Sequence, residues 1–230
     1  MTVNSRSALL AGASGLVGTE LLHVLLENPV YEHVKIMVRK PLDAKHPKLE
    51  QVIVDYEELE NYTIHFKVHD VYCCLGTTIK KAGSQAAFRK VDYEYPVRLA
   101  NMASVHGVKN FLIVSALGAD AASKVFYSKT KGELEVQLKK LDLPALHIFQ
   151  PSLLLGNRQE FRLGEKTATA LSPIFSLFLT GPLQKYKPVS ARSVANAMYA
   201  AAQTNQSGIF TYPSDQIKKI SQQPLQEIKR

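Results

Sequence analysis

Tyr127 and Lys131, set four apart, are the residues of this chain best suited to move a proton. At helical spacing they project from one face. A phenol with a pKa near ~10 is a poor acid–base catalyst at neutral pH, and a neighbouring ammonium favours its anion and draws it toward the working range. Such a lysine also keeps donors for a ribose hydroxyl. One helix upstream, Ser115 ends the apolar run Phe111–Ser115 and adds a hydroxyl. YxxxK by itself recurs on surface helices, and Lys129 shows how readily such residues repeat. Register with Ser115 is what gives the pair weight.

A second constellation lies near the amino end. Gly12-Ala-Ser-Gly15-Leu-Val-Gly18 closes the apolar run Ala8–Ala11 and opens a helix striped with Leu21, Leu22, Leu25 and Leu26. A strand, a glycine turn and a helix N-terminus make a corner whose unpaired N–H groups and dipole hold phosphate. Gly12 permits the tight turn, Gly15 a close approach of pyrophosphate, and Gly18 close packing of helix on strand. The spacing GxxGxxG is one residue longer in its first gap than the common dinucleotide fingerprint. Arg39-Lys40 follows the second strand, with no acid before Asp43. A carboxylate at that strand end would bond a free ribose 2′-hydroxyl, whereas arginine accommodates a 2′-phosphate. NADP(H) is therefore expected over NAD(H); the alternative is an exposed basic loop.

The elements that must position these residues alternate. Strands are predicted at Ala8–Ala11, Val34–Val38, Val52–Asp55, Val71–Leu75, Phe111–Ser115 and Leu146–Gln150, most of them short and apolar on both faces. Helices are predicted at Val17–Glu27, Phe88–His106 and Tyr127–Leu141, with Asp55–Asp70 a short connection. That order predicts an α/β fold, a doubly wound parallel sheet of Rossmann type over residues 1–155. After Pro151 the alternation stops. Helices at Thr167–Leu179 and Ser193–Thr204, a short strand at Ile209–Tyr212 and a polar stretch Ser214–Arg230 are read as a small C-terminal appendage. This segment, 156–230, is expected to integrate with the core, close over the carboxyl ends of the strands and form the substrate pocket or lid.

Composition sets the bounds. The chain has 230 residues, 46% hydrophobic, and a formal charge of +8. Its basic residues are scattered, without aromatic interleaving or zinc-finger spacing, so no nucleic-acid partner is expected. Cys73 and Cys74 are adjacent in an apolar run and read as buried strand thiols, which suits a reducing compartment. Gly12 and Gly15 interrupt the first apolar stretch, so no signal peptide is visible, and Pro173–Pro182 is too short to span a bilayer. A cytoplasmic protein without a membrane span is the expectation. The seven histidines lack metal-ligand spacing and read as solvated or strand-end residues, so no metal site is expected. Phe175, Phe178 and Leu179 read as core or dimer surface before substrate pocket.

The glycine motif, Ser115 and Tyr127/Lys131 together resemble the short-chain dehydrogenase/reductases. Cys73-Cys-Leu-Gly-Thr-Thr78, Lys81-Ala-Gly83, Gly118-Ala-Asp120, Lys131-Gly-Glu133 and Arg158-Gln-Glu160 are similar to the atypical branch, close to its Tat-interacting oxidoreductase-like group and bacterial relatives. The resemblance covers about Leu9 to Glu165. It implies an NADPH-binding domain in which Gly12, Ser14, Gly15, Leu16, Val17 and Gly18 cradle the pyrophosphate. Arg39, with Lys40 beside it, would meet the 2′-phosphate, and Asp55 and Tyr56 would border adenine. Leu75, Gly76 and Thr77 would lie along ribose and diphosphate, and Gln150-Pro151-Ser152-Leu153 would read the nicotinamide carboxamide. Ser115, Tyr127 and Lys131 would be catalytic, moving hydride to or from a small carbonyl or alcohol. Asp92 and Tyr93 read equally as cofactor edge or helix face.

One departure stands out. Relatives often carry two serines at the fifth strand end, the second orienting the substrate carbonyl, whereas this chain reads Val114-Ser115-Ala116. Either Ser115 takes that role or it only packs beside the cofactor. A lost orienting hydroxyl would cost on the order of 10²–10³ in rate, by analogy with a lost oxyanion donor. The alternative reading is thus a non-catalytic, redox-sensing regulatory protein that holds NADP(H). A helix pair forming a dimer face is common in such folds, so a homodimer belongs among the expectations.

Overall fold

The computed structural model describes residues 5–155 and 181–222. Seven of the described strands form one parallel sheet. In chain order they are β1 (Arg6–Ala11), β2 (Tyr31–Val38), β3 (Leu49–Ile53), β4 (Asp70–Cys73), β5 (Asn110–Val114), β6 (Ala145–Gln150) and β9 (Gly208–Pro213), arranged β3-β2-β1-β4-β5-β6-β9. A short pair, β7 (Leu154–Leu155) and β8 (Val189–Ser190), lies apart. Helices α1 (Leu16–Glu27), α6 (Ala191–Ala202) and α7 (Ser214–Ser221) pack on one face, and α4 (Tyr95–Val105), α5 (Phe126–Leu138) and a 3₁₀ segment, Tyr56–Phe66, pack on the other. Every residue of β4 and β5 is buried because both faces are covered. The α/β, doubly wound architecture is the one that the alternating pattern predicts.

Strand order reverses between β1 and β4, and the crevice at their carboxyl ends is where such sheets take ligands. Gly12 sits there with φ +88, and a Cβ on it would lie 2.6 Å from the Cys74 carbonyl. The Cys74 N–H in turn donates to Ala11 O at 2.8 Å. Glycine is thus required twice over, by conformation and by space.

The expected single helix over Phe88–His106 is broken into α3 (Gln85–Arg89), a π turn (Lys90–Glu94) and α4, with a four-residue helix α2 (Ile79–Ala82) before them. Pro96 explains the break. It has no N–H and its ring crowds the carbonyl four residues back, that of Asp92, so the turn widens and Tyr95 N–H bonds Lys90 O. The expected connection Asp55–Asp70 is mostly the 3₁₀ segment, capped by Asp55 and kinked at Glu58 and Tyr62.

The residues after Pro151 do not stay apart from the sheet. Helix α6 buries Val194, Ala195, Ala197 and Met198 in the same core as α1, and β9 pairs with β6 along its length. The final polar stretch forms α7 through Ser221, while the helix expected at Thr167–Leu179 lies outside the described residues. Phe175, Phe178 and Leu179 lie outside them too.

At the opposite end of the sheet Asp70 is fully buried and accepts bonds from Arg6 (2.8 Å), Asn110 (2.6 Å) and Tyr31 (2.6 Å). Burial still raises its pKa. The network joins β1, β2, β4 and β5 at their amino ends, far from the crevice, and reads as scaffold.

His147 departs from the expectation of a solvated or strand-end histidine. It lies within β6, fully buried, stacked on Phe210 and Tyr212 of β9. Nδ1 is 3.0 Å from the Tyr212 hydroxyl and Nε2 has no hydrogen-bond partner among the described residues. Burial pushes its pKa down from 6.5 to about 4. The unfolded chain therefore binds a proton below pH 6.5 that the folded one refuses until about pH 4, so stability is full above that window and falls as pH drops through it. The loss amounts to roughly 3 kcal/mol. In urea melts between about pH 7 and about pH 4, His147→Phe should flatten this acid limb; an unchanged slope would contradict the assignment.

Candidate active site

The glycine corner forms as its spacing requires. Gly15 N–H donates to Gly12 O at 2.9 Å, and Thr19 Oγ1 donates to Ala13 O at 3.1 Å. A Cβ on Gly18 would lie 2.0 Å from Gly12 O, so the loop folds back onto the helix. Helix α1 begins after Gly15 with no side-chain cap and no acid in its first turn. Its leading N–H groups are left for an anion, with Ser14 exposed and Leu16 half-buried at the rim while Val17 faces the core. The first-turn contribution to a ligand is therefore backbone, as phosphate requires. Leu75, Gly76 and Thr77 continue from β4 across the crevice, each half-buried.

Tyr127 and Lys131 stand one turn apart on α5. Gly132 lets that helix press against the loop after β5, since a Cβ there would lie 2.1 Å from Ala121 N. Asp120 N–H also bonds Ser128 O at 3.0 Å. The loop and helix that carry Tyr127 are thus fixed to each other. Its ring packs 5.9 Å from Phe88, and its hydroxyl makes no hydrogen bond with any described residue.

Lys131 is only 3% exposed and its ammonium sits 2.8 Å from Asp92 Oδ1. The other carboxylate oxygen accepts Thr77 N–H at 2.7 Å. Asp92 thereby ties the segment after β4 to the lysine, and the π turn is what carries it there. Sequence pattern left Asp92 open between cofactor edge and helix face; here it joins the segment after β4 to Lys131 of α5. Removing either member of a buried pair leaves an uncompensated charge, which costs several kcal/mol.

Ser115, read either as steadying a substrate oxygen or as only packing beside the cofactor, is bonded within the protein. Its Oγ donates to Glu135 Oε1 at 2.5 Å, and its N–H bonds Phe149 O at 2.7 Å. Glu135 is buried and also accepts Gln150 Nε2 on both oxygens, at 2.9 and 3.0 Å. This carboxylate therefore ties the ends of β5 and β6 to α5. Tyr127, Lys131 and Glu135 fall at successive i, i+4 positions, so extending the YxxxK stripe one turn would have found Glu135. Ala116 brings no hydroxyl to the strand end.

Arg39 and Lys40 lie exposed after β2, with Arg39 near enough to Tyr56 for its charge to favour the phenolate. Burial outweighs this and raises the Tyr56 pKa, while its hydroxyl donates to Met37 O at 3.1 Å. Asp55 is exposed and accepts Glu57 N–H at 2.9 Å as a cap. Pro151 is buried and its carbonyl accepts Leu117 N–H, and Leu153 O accepts Val189 N–H, both at 2.9 Å. Cys73 is pushed up to about 12 by burial and Cys74 rises for the same reason, so neither thiol serves as a nucleophile. Among the described residues no group of three acidic, cysteine or histidine side chains could hold a metal, and no helix is long and apolar enough to cross a membrane.

These residues fit a dinucleotide. An uncapped helix N-terminus without a carboxylate suits pyrophosphate, a buried ammonium at the far side of the crevice suits a ribose diol, and an exposed arginine lies at the second strand end. The comparisons agree. A family model described as NAD(P)H-binding matches residues 12–166. Protein HTATIP2 of Rattus norvegicus is 37% identical over 167 residues, covering 71% of this chain and 69% of that one. The mitochondrial protein FMP52 of Candida albicans is 32% identical over 209 residues, covering 88% and 90%. In fold, the chain is similar to the Bordetella bronchiseptica enzyme WbmH in complex with NAD+, with TM-score 0.67, 14% identity, and coverage of 95% and 80%.

Asp92→Asn should weaken NADPH about tenfold while leaving adenosine 2′,5′-bisphosphate, which lacks the nicotinamide half, within about twofold in calorimetric titration. Equal loss for both ligands would show general disruption rather than positioning of Lys131.

Proposed function

Because the chain belongs to the NAD(P)H-binding family, we propose that it is an NADP(H)-dependent oxidoreductase of the atypical short-chain dehydrogenase/reductase type acting on a small carbonyl or alcohol. The observation that carries this reading is the hydroxyl of Tyr127, without a hydrogen bond among the described residues, one turn from the buried, Asp92-held ammonium of Lys131. A nicotinamide, when bound, would supply or take up a hydride. Everything else falls to the chain's own groups.

In the reducing direction Tyr127 Oη gives its proton to the substrate oxygen, and in the oxidising direction it receives that proton. Lys131 offers its N–H groups to the nicotinamide ribose and keeps positive charge beside the phenol. Asp92 holds the ammonium in place and fixes Thr77 with the same carboxylate. Glu135, through Ser115 and Gln150, keeps the two strand ends at a set spacing, where a nicotinamide would be held. Ser115 acts here as a positioning residue while its proton is given to Glu135. Arg39 and Lys40, exposed at the end of β2, favour a 2′-phosphate and support NADP(H) over NAD(H). Adjacent unbridged cysteines suit a reducing compartment, in line with the proposed cytoplasmic location.

A second reading is favoured by one specific feature. With Ser115 bonded to Glu135 and alanine at 116, the strand end offers no uncommitted hydroxyl to orient a carbonyl. A regulatory protein that binds NADP(H) and reports its redox state without turnover would need none.

Two measurements separate these readings. NADPH oxidation with a broad carbonyl panel should be detectable, and Tyr127→Phe should lower kcat by about 10² or more with little change in NADPH affinity. Full retention of turnover in that variant would end the catalytic assignment. Wild-type protein should bind NADPH at least about tenfold more tightly than NADH, and Arg39→Ser should bring the two within about threefold. Equal affinities in the wild type would remove Arg39 from the site.

A further inference from the structure

The chain beyond Pro151 carries charge that the proposed chemistry leaves unused. Between residues 181 and 222 it holds Lys185, Lys187, Arg192, Lys218 and Lys219 against one acid, Asp215. Arg192 is balanced by Glu20 and Glu27 of α1, each at 3.4 Å. Lys187 and Lys218 differ. Both are half-buried, and neither forms an ion pair with any described residue.

Backbone geometry fixes where they stand. Ser152 Oγ donates to Lys187 O at 2.6 Å. Ser214 Oγ accepts Ser152 N–H at 2.6 Å and donates to Ser152 Oγ at 2.9 Å. Ser214 is fully buried and opens α7, and Lys218 follows it by one helical turn. The backbone at Lys187 and the first turn of α7, which leads to Lys218, are therefore fixed at the segment Pro151–Leu153 at the carboxyl end of β6, on the same rim as the crevice. Leu117 N–H, from the loop after β5, closes on Pro151 O at 2.9 Å and completes that rim.

Two ammonium groups near enough to repel each other, and partly out of water, oppose the fold rather than support it. Burial first, and then repulsion by Lys187, hold the Lys218 pKa below the usual lysine value. Nothing among the described residues offsets this, whereas an oxyanion bridging the two would gain charge-assisted bonds to both. We propose that Lys187 and Lys218 form the anion-binding part of the substrate site, so that the carbonyl or alcohol handled here bears a carboxylate or phosphate. This rests on the oxidoreductase reading for the identity of the reacting group, but not for the binding of the anion.

The test compares three aldehydes on the NADPH-loaded protein: 4-carboxybenzaldehyde, 4-formylphenyl phosphate and the neutral methyl 4-formylbenzoate. Binding is read by quenching of NADPH fluorescence and turnover by NADPH absorbance. At least one anionic aldehyde should bind about tenfold or more tightly than the ester, and which one does distinguishes carboxylate from phosphate. The advantage should fall to within about twofold in Lys187→Gln/Lys218→Gln, with NADPH affinity retained as the control for folding. Each single variant should lose part of it. An ester that binds as well as both anions, an anion advantage that survives the double substitution, or no binding by any of the three would overturn the proposal. Lysine-dependent anion binding with no oxidation of NADPH by any aldehyde would instead sink the oxidoreductase reading and leave the anion site standing.

Discussion

The ion pair between Lys131 and Asp92, both almost fully withdrawn from water, is the constraint on which the site depends. A lysine at this depth is costly unless its charge is met, and the carboxylate that meets it comes from a different helix. Asp92 reaches it because Pro96 forces a π turn into what would otherwise be one continuous helix. The same carboxylate holds Thr77, so the lysine and the segment after β4 are set by one group. A substitution that merely straightened the helix would move both.

A parallel arrangement exists one turn further along α5, where Glu135 gathers Ser115 and Gln150. The two carboxylates divide the work. Asp92 manages charge beside Lys131 and Thr77, and Glu135 manages the spacing of two strand ends. Both act through hydrogen bonds made entirely inside the protein, which is why they are rigid supports rather than reacting groups. Tyr127 differs from them in that its hydroxyl bonds no described residue.

The C-terminal part contributes to stability and to the rim at once. Helix α6 fills the core beside α1 and β9 closes the edge of the sheet, so the polypeptide returns to the carboxyl end at Pro213. There Ser214 starts α7 and bonds back to Ser152. Lys187 and Lys218 are consequently anchored to the core, through half-buried Ser152 and fully buried Ser214, rather than by a loop free to adjust.

Much of this was legible in the residues. Seven strands and the helices at α1, α5 and α6 follow from apolar periodicity, because burial on one or both faces leaves a local signature in sequence. The glycine corner and YxxxK are equally local, since they are set by turn conformation and helical spacing. What tertiary structure alone decided lies between distant segments: the order of strands in the sheet, the partnership of Asp92 with Lys131, the capture of Ser115 by Glu135, and the meeting of Ser152 with Ser214. Charge and hydroxyl groups carry no periodicity that names their partners, so only the packing of one element on another could assign them.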